Sequence, residues 1–364
     1  MASPDVIDFA SLLNPIPGDH PAGVDIRADA SPGSLYYLIK DARSAARAAE
    51  RRLPESDNDS ARADWRPVLK HGQKALAEKT KDLEVTAYVI EALIRLHGFA
   101  GLRDGFKLAR GLVEQYWDGL YPLPDDDGIE TRVGPLTSLN GEDSEGTLIA
   151  PIAQVPVTDA GAGAGPFASY HYQSAATLEQ VDAEAREKRI QQGAVTLSQI
   201  EKAASDSSVT FFVNLVDDLK ACQAEFNGLC AALDARCDGR APPSSNIRGA
   251  LTGCLDAVMA LARDKLPRES EEEGVVEDRA AGANGRAAPA DTFRQREDAL
   301  QSLLKVAEFF RRTEPHNPVS YALEQAVRWS RMSLPELLEE LIPDESSRGA
   351  LFKQVGIRPP AGPS

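Results

Sequence analysis

Aromatic side chains are scarce in this 364-residue chain, at 6%. That scarcity argues against a β-sandwich, whose strands favour aromatic and β-branched residues. Basic charge is also short: 40 Lys and Arg face 56 Asp and Glu, a formal net charge of −16. So acidic a chain is poorly built to hold a phosphate backbone, and nucleic acid is not an expected partner. No apolar run approaches the ~20 residues needed to cross a bilayer, so direct membrane insertion is not expected either. The start, Met1-Ala-Ser-Pro-Asp-Val-Ile-Asp8, carries acids where a signal peptide wants Lys or Arg, and a cytoplasmic location is expected. The four cysteines, Cys222, Cys230, Cys237 and Cys254, form no CxxC pair and read as small apolar side chains in a reducing compartment.

The signatures of chemistry are missing too. The nearest thing to a phosphate loop, Gly161-Ala-Gly-Ala-Gly165, lacks GK[ST], and Pro166 stands where a further glycine would be needed. There is no GxSxG and no HExxH, and no two of the five histidines are spaced i, i+4. The cysteines sit in apolar seams rather than at zinc spacings. The acidic loops at Asp125–Asp127 and Glu142–Glu145 miss the EF-hand pattern and read as solvated. No cofactor, no metal and no catalytic residue is assigned, and an enzyme is not expected. Lys40, Arg43, Arg47 and Arg51 share one helical face, read as solvated or as docking a partner.

What is present is helix. Hydrophobic residues reach 42% and charged ones 26%, enough to bury real cores, and the abundant alanine favours a mainly α fold of several helical bundles. Four segments are expected. In residues 1–158, a helix covers Leu35–Arg52 and another starts at Asp64 as N-cap, with Pro67 in its first turn. A nearly all-apolar helix runs from Asp82 to His97, Gly98 ends it, and a striped helix follows from Phe99 to Tyr116. A minor β element is expected near 148–172, at Leu148–Val157 and Phe167–Tyr172. Residues 159–268 open with the flexible Gly/Ala stretch. They continue with two heptad seams, Phe212 to Leu233 and Ile247 to Leu261, which read as an antiparallel helical hairpin. Residues 269–290 hold six acids, two arginines and little to bury, an acidic solvated linker. Residues 291–364 form a small helical domain, with a break at Glu314–Pro318 that makes Asn317 the N-cap and Pro318 the first residue of the next helix. Its apolar stripes exceed what so small a unit can hide, so it is expected to self-associate. Trp65 and Trp117 are expected to be buried anchors.

An ordered set of short motifs goes further. It begins with Leu13-Asn-Pro-Ile16 and Pro21-Ala-Gly-Val-Asp-Ile-Arg27, then Asp64-Trp-Arg-Pro-Val-Leu69 and Lys81-Asp-Leu83. It continues with Glu91-Ala-Leu93, Gly98-Phe-Ala-Gly-Leu102, Tyr116-Trp-Asp118 and Pro151-Ile-Ala-Gln-Val-Pro156. Together these resemble the ImpA N-terminal domain of the TssA family, components of the bacterial type VI secretion system. Glu314 to Tyr321, Arg328-Trp329 and Met332 to Pro335 look like the end of short members of that family. The resemblance implies a non-enzymatic assembly factor that organises or primes baseplate and tail tube or sheath assembly. Its partners would be its own copies, through a ring-forming C-terminal domain, and baseplate, sheath and tube or spike proteins. It implies structural or partner-docking roles for Asp64, Trp65, Arg66 and Trp117, and a part in self-association for Phe310, Pro315, Pro318, Tyr321, Trp329 and Leu334. The rival reading is a generic cytosolic helical scaffold or adaptor with an unrelated partner.

Overall fold

The computed structural model describes residues 2–52, 63–126, 128–142, 144–161, 163, 165–266, 300, 303–304, 306–308, 310–312, 318–332, 334–342 and 344. The chain divides into two compact units, Met1–Ser270 and Glu271–Ser364. The first is built from α1 (Phe9–Leu13), α2 (Leu35–Arg52), α3 (Arg66–Glu78), α4 (Leu83–Tyr116), α5 (Ile129–Asn140) and α6 (Ile149–Gln154). It continues with α7 (Ser169–Leu178), α8 (Ala183–Gln191), α9 (Leu197–Asp206), α10 (Val209–Asp234) and α11 (Ser245–Leu261). No sheet occurs among the described residues, and the mainly α expectation holds.

α4 is the centre, and it is not a rod. Asp82 caps it, its Oδ1 accepting from the N–H groups of Glu84 and Val85 at 2.7 and 3.1 Å. Gly98 then breaks it at φ 58°, ψ −139°, a conformation that a Cβ would strain. Past that point the helix doubles back. A Cβ on Gly105 would lie 2.8 Å from Ile90 Cγ1, and one on Gly101 only 2.2 Å from the Leu93 carbonyl oxygen. In a straight helix residues 90 and 105 would stand about 22 Å apart. Gly101 and Gly105, one turn apart, therefore let two backbones touch. By length and composition α4 with the turn after it is apolar enough to cross a membrane, although no apolar run of that length was expected. It folds on itself instead and is mostly buried inside the unit.

α10 lies along α4, with the Phe106 and Phe226 rings 4.8 Å apart between centroids. The seam residues Phe212, Leu215, Leu219, Cys222, Phe226, Leu229 and Leu233 are all buried. α11 returns against α10 and carries Ile247, Leu251, Cys254 and Val258 into the same core. The antiparallel hairpin is thus present, and one continuous core joins it to the first 158 residues. No break in packing occurs at 158/159.

The expected strands are replaced by helices: 149–154 is α6 and 169–178 is α7. Short apolar runs do not distinguish strand from buried helix, and alanines with Pro151 in the first turn suit the helix here. All that remains of pairing is the bridge between Pro156 and Ala168, with the Val157 N–H donating to the Phe167 carbonyl at 2.7 Å. It pins both ends of the Gly/Ala stretch, so the stretch is a closed loop on the unit rather than a linker. α3 begins one residue later than expected: Trp65 holds the cap position, and Asp64 Oδ1 accepts from the Arg66 N–H at 3.1 Å.

In the second unit, α12 spans Val319–Arg331 and α13 Leu334–Leu341. Arg311 pairs with Glu324, and Arg328 with Glu340. Pro318 takes the cap position of α12 rather than its first turn. Asn317 and the acidic segment 269–290 lie outside the described residues.

The glycine contacts yield a paired expectation. Gly101→Ala should destabilise the protein by about 1–3 kcal/mol or more, because backbone must move to admit the methyl. Gly249→Ala, exposed in α11 with nothing within 4 Å of the added atom, should stabilise by about 0.5–1 kcal/mol. Urea midpoints of the two variants would test the close approach; equal effects would disprove it.

Candidate interaction surface

Among the described residues no cluster of three or more His, Cys, Asp or Glu is placed to hold a metal ion. The cysteines are packing residues: burial raises the pKa of all four thiols, Cys222 most of all. Polar side chains converge instead at three places that hold the helices together.

The first is the end of the unit where the α4 hairpin starts and finishes. Lys81 is fully buried, and its Nζ donates to the carbonyls of Leu12 and Leu76 at 2.6 and 2.7 Å. Its backbone N–H donates to the Ala22 carbonyl, and its own carbonyl accepts from Tyr121. Burial lowers its pKa to about 8. Beside it, the buried Asp82 meets Arg27 at 2.8 Å, and Arg27 also pairs with Asp25 and Glu84. Burial pushes the Asp82 carboxyl up, against the pull of Arg27. Tyr116 Oη donates to the Leu13 carbonyl, and Trp117 is half-buried under Arg132, whose Nη1 donates to the Trp117 carbonyl. The short motifs around residues 13–27, 81–83 and 116–118 thus meet at one spot.

The second is a ladder between α2 and the first half of α4. Glu84 Oε1 accepts from Tyr88 Oη at 2.6 Å. Arg43 pairs with the fully buried Glu91 and lies over the Tyr88 ring. At the far end Glu50 accepts from Trp65 Nε1 at 2.7 Å and from Arg95 Nε at 2.6 Å, while Arg95 stacks 4.1 Å over the Trp65 ring. Trp65 is only 2% exposed. Asp64 and Arg66 form an exposed pair beside it. Trp65 and Trp117 therefore stand at opposite ends of the hairpin. Of the basic stripe on α2, Arg43 is turned inward and used up.

The third is a strap formed by the first residues. The Ser3 N–H and Oγ donate to Asp218 of α10 at 2.7 and 2.6 Å, and the Val6 N–H donates to Asp104 of α4 at 2.6 Å. Arg103 binds Asp104 and donates to the Ser3 carbonyl. Sequence reasoning missed this group; charged residues inside the apolar stretch, such as Glu91 and Asp104, were the available signal, since a buried charge demands a partner.

In the second unit the apolar side chains stand out. Leu303, Leu304, Val306, Val319, Tyr321 and Leu341 are exposed, Tyr321 at 61%. Arg311 stacks on the Tyr321 ring, and Phe310 and Trp329 are half-buried. The Trp329 indole N–H is buried without an acceptor among the described residues. Pro318 is exposed. Pro315 and the Leu334 side chain lie outside the described residues.

Comparison with known proteins agrees with this architecture. Residues 13–141 match the family described as ImpA, N-terminal, type VI secretion system. The type VI secretion system component TssA1 of Pseudomonas aeruginosa is 28% identical, the match covering 94% of this chain and 97% of that protein. Among solved structures, the N-terminal domain including the conserved ImpA_N region of the TssA component from Burkholderia cenocepacia matches with a TM-score of 0.59. It is 27% identical, covering 73% of this chain and 98% of that one.

Two measurements follow from the polar groups. Trp65→Ala should cost about 3–5 kcal/mol in urea unfolding, whereas Trp117→Ala, half-buried, should cost clearly less. Lys81 makes stability pH-dependent: unfolded it titrates near 10.5, folded near 8. Below pH 8 both states carry the proton and the cost of the buried charge is fully present. It is relieved as pH rises from 8 to 10.5, where the unfolded chain keeps a proton that the folded one has lost. Stability relative to Lys81→Met should therefore rise across that window by up to about 3 kcal/mol. A difference that stays flat or falls would contradict the burial of a free ammonium.

Proposed function

We propose that this chain, whose residues 13–141 match the ImpA N-terminal family and which is similar to a TssA component along almost its whole length, is a TssA-type component of a type VI secretion system and acts there as a non-enzymatic assembly factor in the cytosol. The first unit presents a rigid body to baseplate, sheath and tube or spike proteins. The second unit gathers copies of the chain into a ring. The observation that carries this is the contrast in how the two units treat apolar side chains. The first hides a continuous core around α4, α10 and α11. The second leaves six large apolar side chains exposed among a few dozen described residues, more than a small unit with a closed core would show. Association between copies would cover them, and closed symmetry is the common way for that to stop at a ring.

Light scattering should therefore give an oligomer for the full chain and a monomer for residues 1–266. Tyr321→Glu with Leu341→Glu should shift the full chain toward monomer without moving the thermal transition of the first unit. A full chain that stays monomeric at high concentration would end the ring reading. Deleting the gene in its own host should abolish type VI secretion, and full secretion in its absence would end the assembly reading.

A further inference from the structure

We propose that the groove between α1 and α3 is a docking site for an acidic segment of a partner protein, with Lys70 and Lys74 as the residues that recognise it. This rests on the assembly reading and gives its first unit a specific contact.

Charge is distributed unevenly over the chain. α2 and residues 63–79 together hold nine Lys or Arg against four Asp or Glu, a local +5 in a chain of −16. Counting the connection 53–62, where Glu55, Asp57 and Asp59 oppose Arg62, residues 35–79 still carry +3. Several of these cations are already committed. Arg43 is paired with Glu91, Arg66 with Asp64, and Lys40 lies over the Tyr36 ring. Lys70 and Lys74 are not. They lie one turn apart on the exposed face of α3, and neither has an ion pair among the described residues. Like charges at this spacing repel, so helix stability gives no reason for the pair.

The surface beside them is shaped. Lys70, Gln73, Lys74 and Ala77 of α3 face Ser11 and Leu12 of α1 across a groove of about 280 Å³. Asp8 also lines it, its Oδ1 accepting from the Ser11 N–H at 3.3 Å, so the two lysines leave the lining with a net charge of +1. Leu12 and Ala77 supply apolar walls, Ser11 and Gln73 supply polar groups, and two ammonium groups stand at the rim. That combination suits carboxylates about one helical turn apart flanking an apolar side chain. Nucleic acid suits it less, because the whole chain, at −16, repels a polyanion. Rim charges of this kind act mainly by steering encounter and selecting partners.

The test uses the full chain with Lys70→Glu/Lys74→Glu, and with Lys70→Gln/Lys74→Gln should the reversal unfold it. Lys188→Glu, on exposed α8, is the control. The probe is a labelled helical peptide carrying Glu at i and i+4 around a leucine. The double reversal should weaken peptide binding at least tenfold, the control should not, and raising salt from about 50 to 200 mM should weaken binding to the wild type. Unchanged binding in the double variants, equal loss in the control, or equally tight binding of an oligonucleotide or anionic vesicles would overturn the proposal. In the host, the double reversal should cut secretion at least tenfold at normal protein level. Normal secretion with the reversal, where deletion abolishes it, would overturn the groove and leave the assembly role standing. Normal secretion on deletion would remove the assembly role itself.

Discussion

The first unit depends on one close approach, that of the two halves of α4 at Gly101 and Gly105. Removing two side chains from a helix sacrifices helix propensity, and it allows backbone to lie against backbone. In return the most apolar stretch of the chain becomes a compact double column with outward faces on all sides. α3 and α2 pack against its first half and α10 along its length. A straight α4 of 34 residues would span about 50 Å, more than the ~39 Å that the 26 residues of α10 could cover. The reversal at Gly98 is thus what allows a single core to form.

Charged groups hold this column in register. Lys81, Asp82, Glu91 and Asp104 are fully buried, and each has a partner from another element or from the backbone. Buried ion pairs add little net stability compared with apolar packing, because desolvation offsets the attraction. What they add is intolerance of misplacement. A slip of α2 by one residue would leave the Glu91 carboxylate unpaired in an apolar setting, a cost of several kcal/mol. An alanine-rich helix such as α2 has few shaped side chains to set its register, and Arg43 and Glu50 supply what packing there does not.

Much of this was legible beforehand. The span of α2, the start of α4 near Asp82, the break at Gly98 and both seams of the α10–α11 hairpin follow from period and glycine. The reversal at Gly98 was not readable, because a glycine that ends a helix does not say where the next one goes. The segments that form α6 and α7 read as strands, since short stretches such as Leu148–Val157 and Phe167–Tyr172 fit both periods. The polar clusters were hidden for a different reason: their members come from places as far apart as Ser3 and Asp218, and sequence spacing carries no information about such pairs. The burial of Trp65 was expected, but its indole acceptor, Glu50, fifteen residues earlier on α2, has no signature in sequence spacing.

The strap made by Ser3 to Val6 has a consequence for how the chain is made. Its hydrogen bonds close contacts with residues about one hundred and two hundred positions later. Ser3 cannot find Asp218 until α10 has left the ribosome, on the order of ten seconds or more after the strap itself at typical synthesis rates. Until then the α4 surface that α10 will cover is open, and the strap has only half of its site. The strap is therefore completed only after α10 has been made. Apolar surface left open in that interval is the part of the nascent unit most prone to aggregate.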